Sequence, residues 1–330
     1  MSNDVRWGII GCGDVTEVKS GPGFQKAAGS SLVAVMRRNR AKAEDYAQRH
    51  GVPRAYSDAD ALIGDPEVDA VYIATTPSSH CELALKVAAA GKPCLVEKPM
   101  AMNHRECERM LAAFDRAAVP LWVAYYRRAL PRFLLVRDLL RSGAIGRATS
   151  TQVRITTPLA VGDAALGWRF NPDVAGAGPF LDLASHCLDL VDFFFGPIAM
   201  VVGHSARTGD SAYGAEDVTA ASFLINNDMV GTGLWNFNAD RTEDEIVIVG
   251  TDGELITPVL TDGDVVVKRE GRSIVHPVRN PPHVHQPLIQ TIVDELHGRG
   301  HCASTGRSGA RTSRVMDQCL ESYYASRAGG

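Results

Sequence analysis

Through the first 124 residues, short β-branched runs alternate with helix-like segments; the apolar runs are 7–10, 32–36, 70–74, 93–97 and 121–125. That alternation predicts a parallel sheet with crossover helices, since only a return segment long enough to hold a helix brings the chain back to the same end of a sheet. Between Ala41 and Arg49 alanines recur among charged residues, and Gly51 stops the segment. Between Cys81 and Ala90 the same pattern ends at Gly91-Lys92-Pro93.

After Tyr125 the texture changes. A helical stretch over 132–141 ends at Gly143, a strand is expected at 149–155, and a Gly/Ala/Pro-rich loop runs to Gly178. A helix over 180–195 precedes strands at 200–204, 219–225, 232–237, 246–250 and 265–269. Asn226-Asn227-Asp228 and Thr251-Asp252-Gly253 supply hairpin turns. The last helices are expected at 287–297 and 308–325. The fold class is therefore α/β at 1–124, followed at 125–330 by an α+β domain with an open, mainly antiparallel sheet.

Charge and composition exclude several classes of function. Thirty-four basic against 38 acidic residues leave a net charge of −4, without the basic excess that a phosphate backbone demands, so nucleic acid is not an expected partner. No apolar run approaches the ~18 residues of a membrane span. The first residues, Met1-Ser-Asn-Asp-Val, carry no leader pattern, and the seven cysteines contain no Cys-x-x-Cys pair. The expectation is a cytoplasmic chain with scattered apolar thiols.

Directly after the first run stands Gly11-x-Gly13-x-x-Thr16, opening a helical segment with Asp14 and Val15. Glycines there let the backbone turn tightly and let a pyrophosphate approach the amides of the next helix, so Gly11, Gly13, Asp14 and Val15 are candidate contacts of a dinucleotide. The third glycine of the motif is missing. Lys19-Ser20-Gly21-Pro22-Gly23 should interrupt the first helix, because proline removes an amide donor.

An acid that would hold a ribose hydroxyl is expected roughly twenty residues past the glycines. Arg37-Arg38-Asn39-Arg40 stands there instead. Guanidinium forks suit a 2′-phosphate, so Arg37 and Arg38 favour NADP(H) over NAD(H); the alternative is an ordinary basic helix start.

Thr75-Thr76-Pro77-Ser78-Ser79-His80 follows the third apolar run, and Glu97-Lys98-Pro99 ends the fourth. Ligands gather outside the carboxyl ends of such strands. With the glycine turn, these elements resemble the glucose-fructose oxidoreductase, inositol dehydrogenase and rhizopine-catabolism (Gfo/Idh/MocA) family over nearly the whole chain. Further matches are Ala124-Tyr125-Tyr126-Arg127-Arg128, the segment from Gly176 to Asp189 with Asp182 and His186, and Thr305-Gly306. The resemblance implies a Rossmann dinucleotide-binding domain, then a domain whose open sheet forms a subunit interface, hence a homodimer or homotetramer.

It also implies site residues. Thr75, Thr76, Pro77, His80, Glu97 and Lys98 join the cofactor set. Lys98 is the first candidate catalytic group, an amine able to hydrogen-bond the reacting oxygen and to carry its proton. Asp182 and His186, four apart on one helix face, resemble the family pair at the substrate carbon and are the other candidate catalytic groups: His186 would share or relay the proton, and Asp182 would orient the histidine or a neighbouring hydroxyl. Asp189, one turn further, either orients the imidazole or faces solvent. Trp168-Arg169 resembles a pair near nicotinamide and sugar in anhydrofructose reductase-like members; the alternative is a packed Trp with an extended Arg. Tyr126 stands where many relatives carry asparagine.

His283 and His285, beside Pro281-Pro282, have no carboxylate or cysteine partner in the sequence and read as loop or interface residues, with no metal expected. The resulting expectation is an NADP(H)-dependent oxidoreductase of a sugar, anhydrosugar or polyol. The alternatives on the same fold are a non-catalytic NADP sensor or co-regulator, and a glycosidase that retains its nicotinamide.

Overall fold

The computed structural model describes residues 4–158, 167–209 and 213–328. It divides into two compact units, one of Met1–Leu130 with Pro281–Ala310, the other of Pro131–Asn280 with Arg311–Gly330.

In the first unit, β1 (Val5–Ile10), β2 (Ser30–Met36), β3 (Arg54–Tyr56), β4 (Ala70–Ile73), β5 (Cys94–Val96) and β6 (Leu121–Val123) form one parallel sheet in the order β3-β2-β1-β4-β5-β6. Successive strand residues point to opposite faces, and both faces are covered. Trp7 and Ile9 pack with Phe24, Tyr72, Leu95 and Trp122 on one side, while Ile10, Val71, Ile73 and Val96 pack with Leu62, Ala84 and Phe114 on the other. The order reverses between β1 and β4, and the loops after these two strands open at that switch point.

The expected single cut at 124/125 differs from this division. The helix Gln286–Leu296 buries Leu288, Ile289, Ile292 and Val293 in the Trp7–Phe24 cluster. Residues 281–310 thus complete the first unit, because the face of its sheet that Phe24 and Tyr46 cover is shared with chain from the far end of the sequence.

In the second unit, β7 (Ala148–Thr156), β8 (Ile198–Ala206), β9 (Val218–Ile225), β10 (Met229–Asn236), β11 (Glu243–Gly250), β12 (Gly253–Thr257), β13 (Val265–Arg269) and β14 (Arg272–His276) lie in the order β14-β13-β12-β11-β7-β10-β9-β8. Only β7 and β10 pair in parallel. The inner face packs on the helix Pro179–Phe195, with the Phe180 ring edge-on to Trp235 at 5.1 Å. Phe223, Trp235 and Phe237 are all buried. All three belong to the inner face and none to the outer one. The outer face exposes Met200, Val202 and Val230, with Leu224 half-buried between Met200 and Val230 in register.

Among the described residues no helix is long and apolar enough to cross a membrane.

Candidate active site

After β1 the backbone turns at Gly11 with φ +92°, and a Cβ there would lie 2.7 Å from Thr75 Cγ2 and 3.0 Å from the Ala74 carbonyl. Only glycine lets the turn lie this close to the loop after β4. The Gly11 and Cys12 amides donate to the Met36 carbonyl at 2.9 and 3.1 Å, which brings the turn to the end of β2, where Arg37 and Arg38 follow. Around Gly13 the space is open: a Cβ would meet only the Gly11 carbonyl oxygen, 3.9 Å away. The first turn of the helix Asp14–Val18 begins beside that space. Among the described residues, neither Arg37 nor Arg38 pairs with a carboxylate, whereas Arg40 pairs with Glu44 at 2.8 Å.

The place of the missing third glycine is taken by Thr16. It is buried, its hydroxyl donates to the Gly13 carbonyl at 2.8 Å and accepts from the Gly13 amide at 2.9 Å, and so it fastens the turn from inside. The close approach usually given to that glycine moves to Gly21, where a Cβ would sit 2.2 Å from the Thr16 carbonyl oxygen and 2.4 Å from the Tyr46 hydroxyl. The chain breaks into a second short helix, Gly21–Lys26, with Pro22 in its first turn. The interruption thus has a packing cause, and Lys19 takes part through its carbonyl, which accepts from the His285 amide at 3.3 Å.

At the carboxyl end of β4, Thr76 precedes the helix Pro77–Ala89 and Ser79 donates to the Thr75 hydroxyl at 2.7 Å. His80 corrects its expected role. It is fully buried, with its ring nitrogens 3.1 Å from the Thr75 and Pro99 carbonyls, so it clamps two loops and presents no atom to a ligand. Burial pushes its pKa down, against the hydrogen bonds its ring makes to these carbonyls.

Glu97 needs the same correction. Its carboxylate is buried, accepting from the Tyr72 hydroxyl at 2.5 Å, lying 3.1 Å from His285 Nε2, and accepting from the Lys98 amide at 3.1 Å. Burial pushes this carboxyl up, but the contacts with His285 and Tyr72 and the Lys98 charge outweigh it and hold Glu97 below its ordinary value. Lys98 itself is half-buried and joined to Pro99 by a cis peptide. Tyr126 lies with its ring 4.3 Å from that of His285, and its hydroxyl accepts from Arg127 Nη1 at 3.0 Å.

In the second unit, Pro179 starts the helix Pro179–Phe195, which carries Asp182 and then, one turn on, His186. Asp182 is held by Arg169, whose Nε donates to Oδ2 at 2.8 Å while its guanidinium lies 4.8 Å over the Trp168 ring. Three of the expected substrate residues therefore meet. His186 is buried, and Asp189 is buried too, accepting from the Thr312 hydroxyl at 3.5 Å, so it does not face solvent. Residues 159–166 of the Gly/Ala/Pro-rich loop lie outside the described residues.

Two family models match the chain: "Oxidoreductase family, NAD-binding Rossmann fold" over residues 5–125, and the GFO/IDH/MocA C-terminal domain over residues 133–256. The chain belongs to this oxidoreductase family. It is 37% identical to Oxidoreductase P35 of Formosa agariphila over 96% of this chain and 98% of that one. It is 28% identical to the 1,5-anhydro-D-fructose reductase of Ensifer adhaerens over 92% of each. A levoglucosan dehydrogenase, solved with NADH and levoglucosan, shares the fold with a TM-score of 0.86 at 23% identity over 98% of each chain.

Within this GFO/IDH/MocA chain, sequence reasoning missed two groups. His285, assigned to a loop or an interface, is a buried partner of Glu97. Glu216, at 0% exposure, accepts from the Gly178 amide at the head of the Asp182–His186 helix. An acid beside Asp217 in an otherwise apolar strand entrance was the available signal for the second; nothing local marked the first.

Proposed function

We propose that this oxidoreductase is NADP(H)-dependent and moves hydride to or from a carbon of a sugar, anhydrosugar or polyol. The observation that carries the reading is the open space at Gly13 beside the Arg37-Arg38 tip, where no acid stands. A side chain at Gly13 would fill that space, so the residues present fit a dinucleotide: Gly11, Gly13, Asp14 and Val15 for the pyrophosphate, Arg37 and Arg38 for a 2′-phosphate, Thr75, Thr76 and Pro77 along the switch point, and Lys98 at the end of β5. When bound, the nicotinamide supplies or accepts the hydride. Lys98 polarises the reacting oxygen and exchanges its proton; His186 and Asp182 act on the substrate hydroxyls, with Trp168 and Arg169 offering an aromatic face and a donor, and Tyr126 a further contact. The anhydrosugars named for the reductase of Ensifer adhaerens and for the levoglucosan dehydrogenase support that substrate class. A spectrophotometric panel tests it, following NADPH oxidation with keto- and anhydro-sugars and NADP⁺ reduction with polyols. No turnover, with tightly retained nucleotide, would reject the reading.

NADPH should bind more tightly than NADH by about 1 to 3 kcal/mol, the worth of charge-assisted hydrogen bonds. Fluorescence titration of both cofactors checks this. Equal affinities, or an NADH preference that survives Arg38→Ala, would contradict it.

The chain also assembles, in this reading, as a homodimer or homotetramer through the outer face of the second sheet. Met200 and Val230 stand 63% and 55% exposed on it, on either side of Leu224. Contiguous exposed apolar residues on a sheet favour a second copy of the same face. Light scattering at micromolar concentration should give at least a dimer mass, and a monomer would refute the assignment. The seven cysteines, free and buried, fit the cytoplasm.

A further inference from the structure

We propose that His285 is a positioning residue for Lys98 and acts on it through Glu97, a role that rests on the reading of Lys98 given above. His285 comes from the returning segment 281–310, and its Nε2 lies 3.1 Å from Glu97 Oε1 with the two side chains 2% and 10% exposed. Tyr72 donates to the same oxygen, while Oε2 accepts from the amide of Lys98. One oxygen of the carboxylate is therefore set by β4 and the returning segment, and the other sets the backbone from which the lysine side chain departs.

The histidine is itself held on several sides. Its amide donates to the Lys19 carbonyl at 3.3 Å, its carbonyl accepts from Ile289 at 3.0 Å, and its ring lies against Tyr126. Nδ1 is buried with no hydrogen-bond partner. A buried imidazole with one nitrogen unmatched, beside a buried carboxylate, is a poor device for stability, since apolar packing would avoid both desolvation costs. What the arrangement does supply is a fixed and ionised Glu97. Removing His285 leaves that carboxylate with fewer donors, so it turns or takes a proton. Either change moves the Lys98 backbone or removes the negative charge that faces the Lys98 ammonium. Displacement of a reacting group by about 1 Å is enough to cost on the order of 100-fold in rate.

The test uses the full chain with His285→Leu, His285→Gln and Lys98→Ala. His285→Leu should lower kcat roughly 10- to 100-fold with KM and NADPH affinity changed less than about threefold. His285→Gln keeps a side-chain donor for Glu97 and should recover most of that loss. The rate of Lys98 acetylation by acetic anhydride, read by mass spectrometry against the other lysines, should change in the Leu variant and return toward wild type in the Gln variant. Normal kcat and normal labelling in His285→Leu would overturn the proposal. So would equal losses in both His285 variants accompanied by equal falls in Tm, which is the signature of packing alone. If Lys98→Ala keeps its kcat, the catalytic reading of Lys98 fails, while the labelling arm still decides whether His285 controls that lysine.

Discussion

Lys98→Ala should lower kcat by roughly 100-fold or more while leaving NADPH affinity nearly unchanged, the usual consequence of losing acid–base help. Lys98 stands directly after β5, one strand from the switch point, where a side chain is expected to meet the nicotinamide end of a dinucleotide. Its backbone is fixed by the buried Glu97, so the side chain starts from a held position. The interaction that counts is one that strengthens as charge develops on the reacting oxygen, which is why the loss should fall on kcat and not on binding. Lys98→Arg should remain impaired, because a guanidinium keeps its charge and cannot exchange a proton near neutral pH. His186→Ala, on the helix of the second unit, should show a comparable fall in kcat. Steady-state kinetics with cofactor binding followed by fluorescence measures all three. A variant that keeps near-normal kcat on an authentic substrate removes that residue from the mechanism.

The parallel character of the first sheet was legible because five of its strands are continuous apolar runs, as a sheet covered on both faces requires. β3 was not: Arg54-Ala55-Tyr56 is short, half-buried and without an apolar run, and it is a strand only because it pairs with the end of β2. β12, Gly253–Thr257, is not among the expected strands either, since it begins on the last residue of the Thr251-Asp252-Gly253 turn and is only five residues long. In the second sheet the strands were visible, but not which of their residues fill the inner face. Gly231 and Gly233 give no side chain to mark the inner face, and the rings of Phe223 and Trp235 lie across them, so that a Cβ at either would clash at 2.0 and 2.1 Å.

The candidate site divides in the same way. The glycine turn and the arginine tip were legible because each is one contiguous stretch whose chemistry follows from residue type. A motif places a loop at a strand end but does not say which of its side chains turn inward. His80 and Glu97 were therefore read as ligand contacts, although both are buried supports. His285 could not be found from local pattern at all, since its partner lies 188 residues away.

Glu216→Gln should make the protein more stable at pH 8 and flatten its stability between pH 5 and pH 8. Glu216 is buried in the second unit, accepts from the Gly178 amide at 2.9 and 3.1 Å and from the Tyr324 hydroxyl at 2.6 Å, and adjoins the buried Asp217, which itself accepts from Tyr213. Burial pushes its pKa up to about 7, the hydrogen bonds from Tyr324 and Gly178 only partly opposing it. The folded protein thus holds this proton more tightly than the unfolded chain does. The stabilisation from that proton is complete below the ordinary glutamate range near pH 4.5 and is lost as pH rises through about 7. Each pH unit separating the folded and unfolded titrations is worth roughly 1.4 kcal/mol, so the wild type should lose on the order of a few kcal/mol across this window. Glutamine keeps an acceptor for the Gly178 amide and has no charge to bury. The contact lies at the head of the helix that carries Asp182 and His186, so the same titration loosens the support of that pair as pH rises. Urea or thermal unfolding at intervals from pH 5 to pH 8 reads the effect. A wild type flat over the window, or a variant that declines in parallel with it, would show that Glu216 is not the group that titrates.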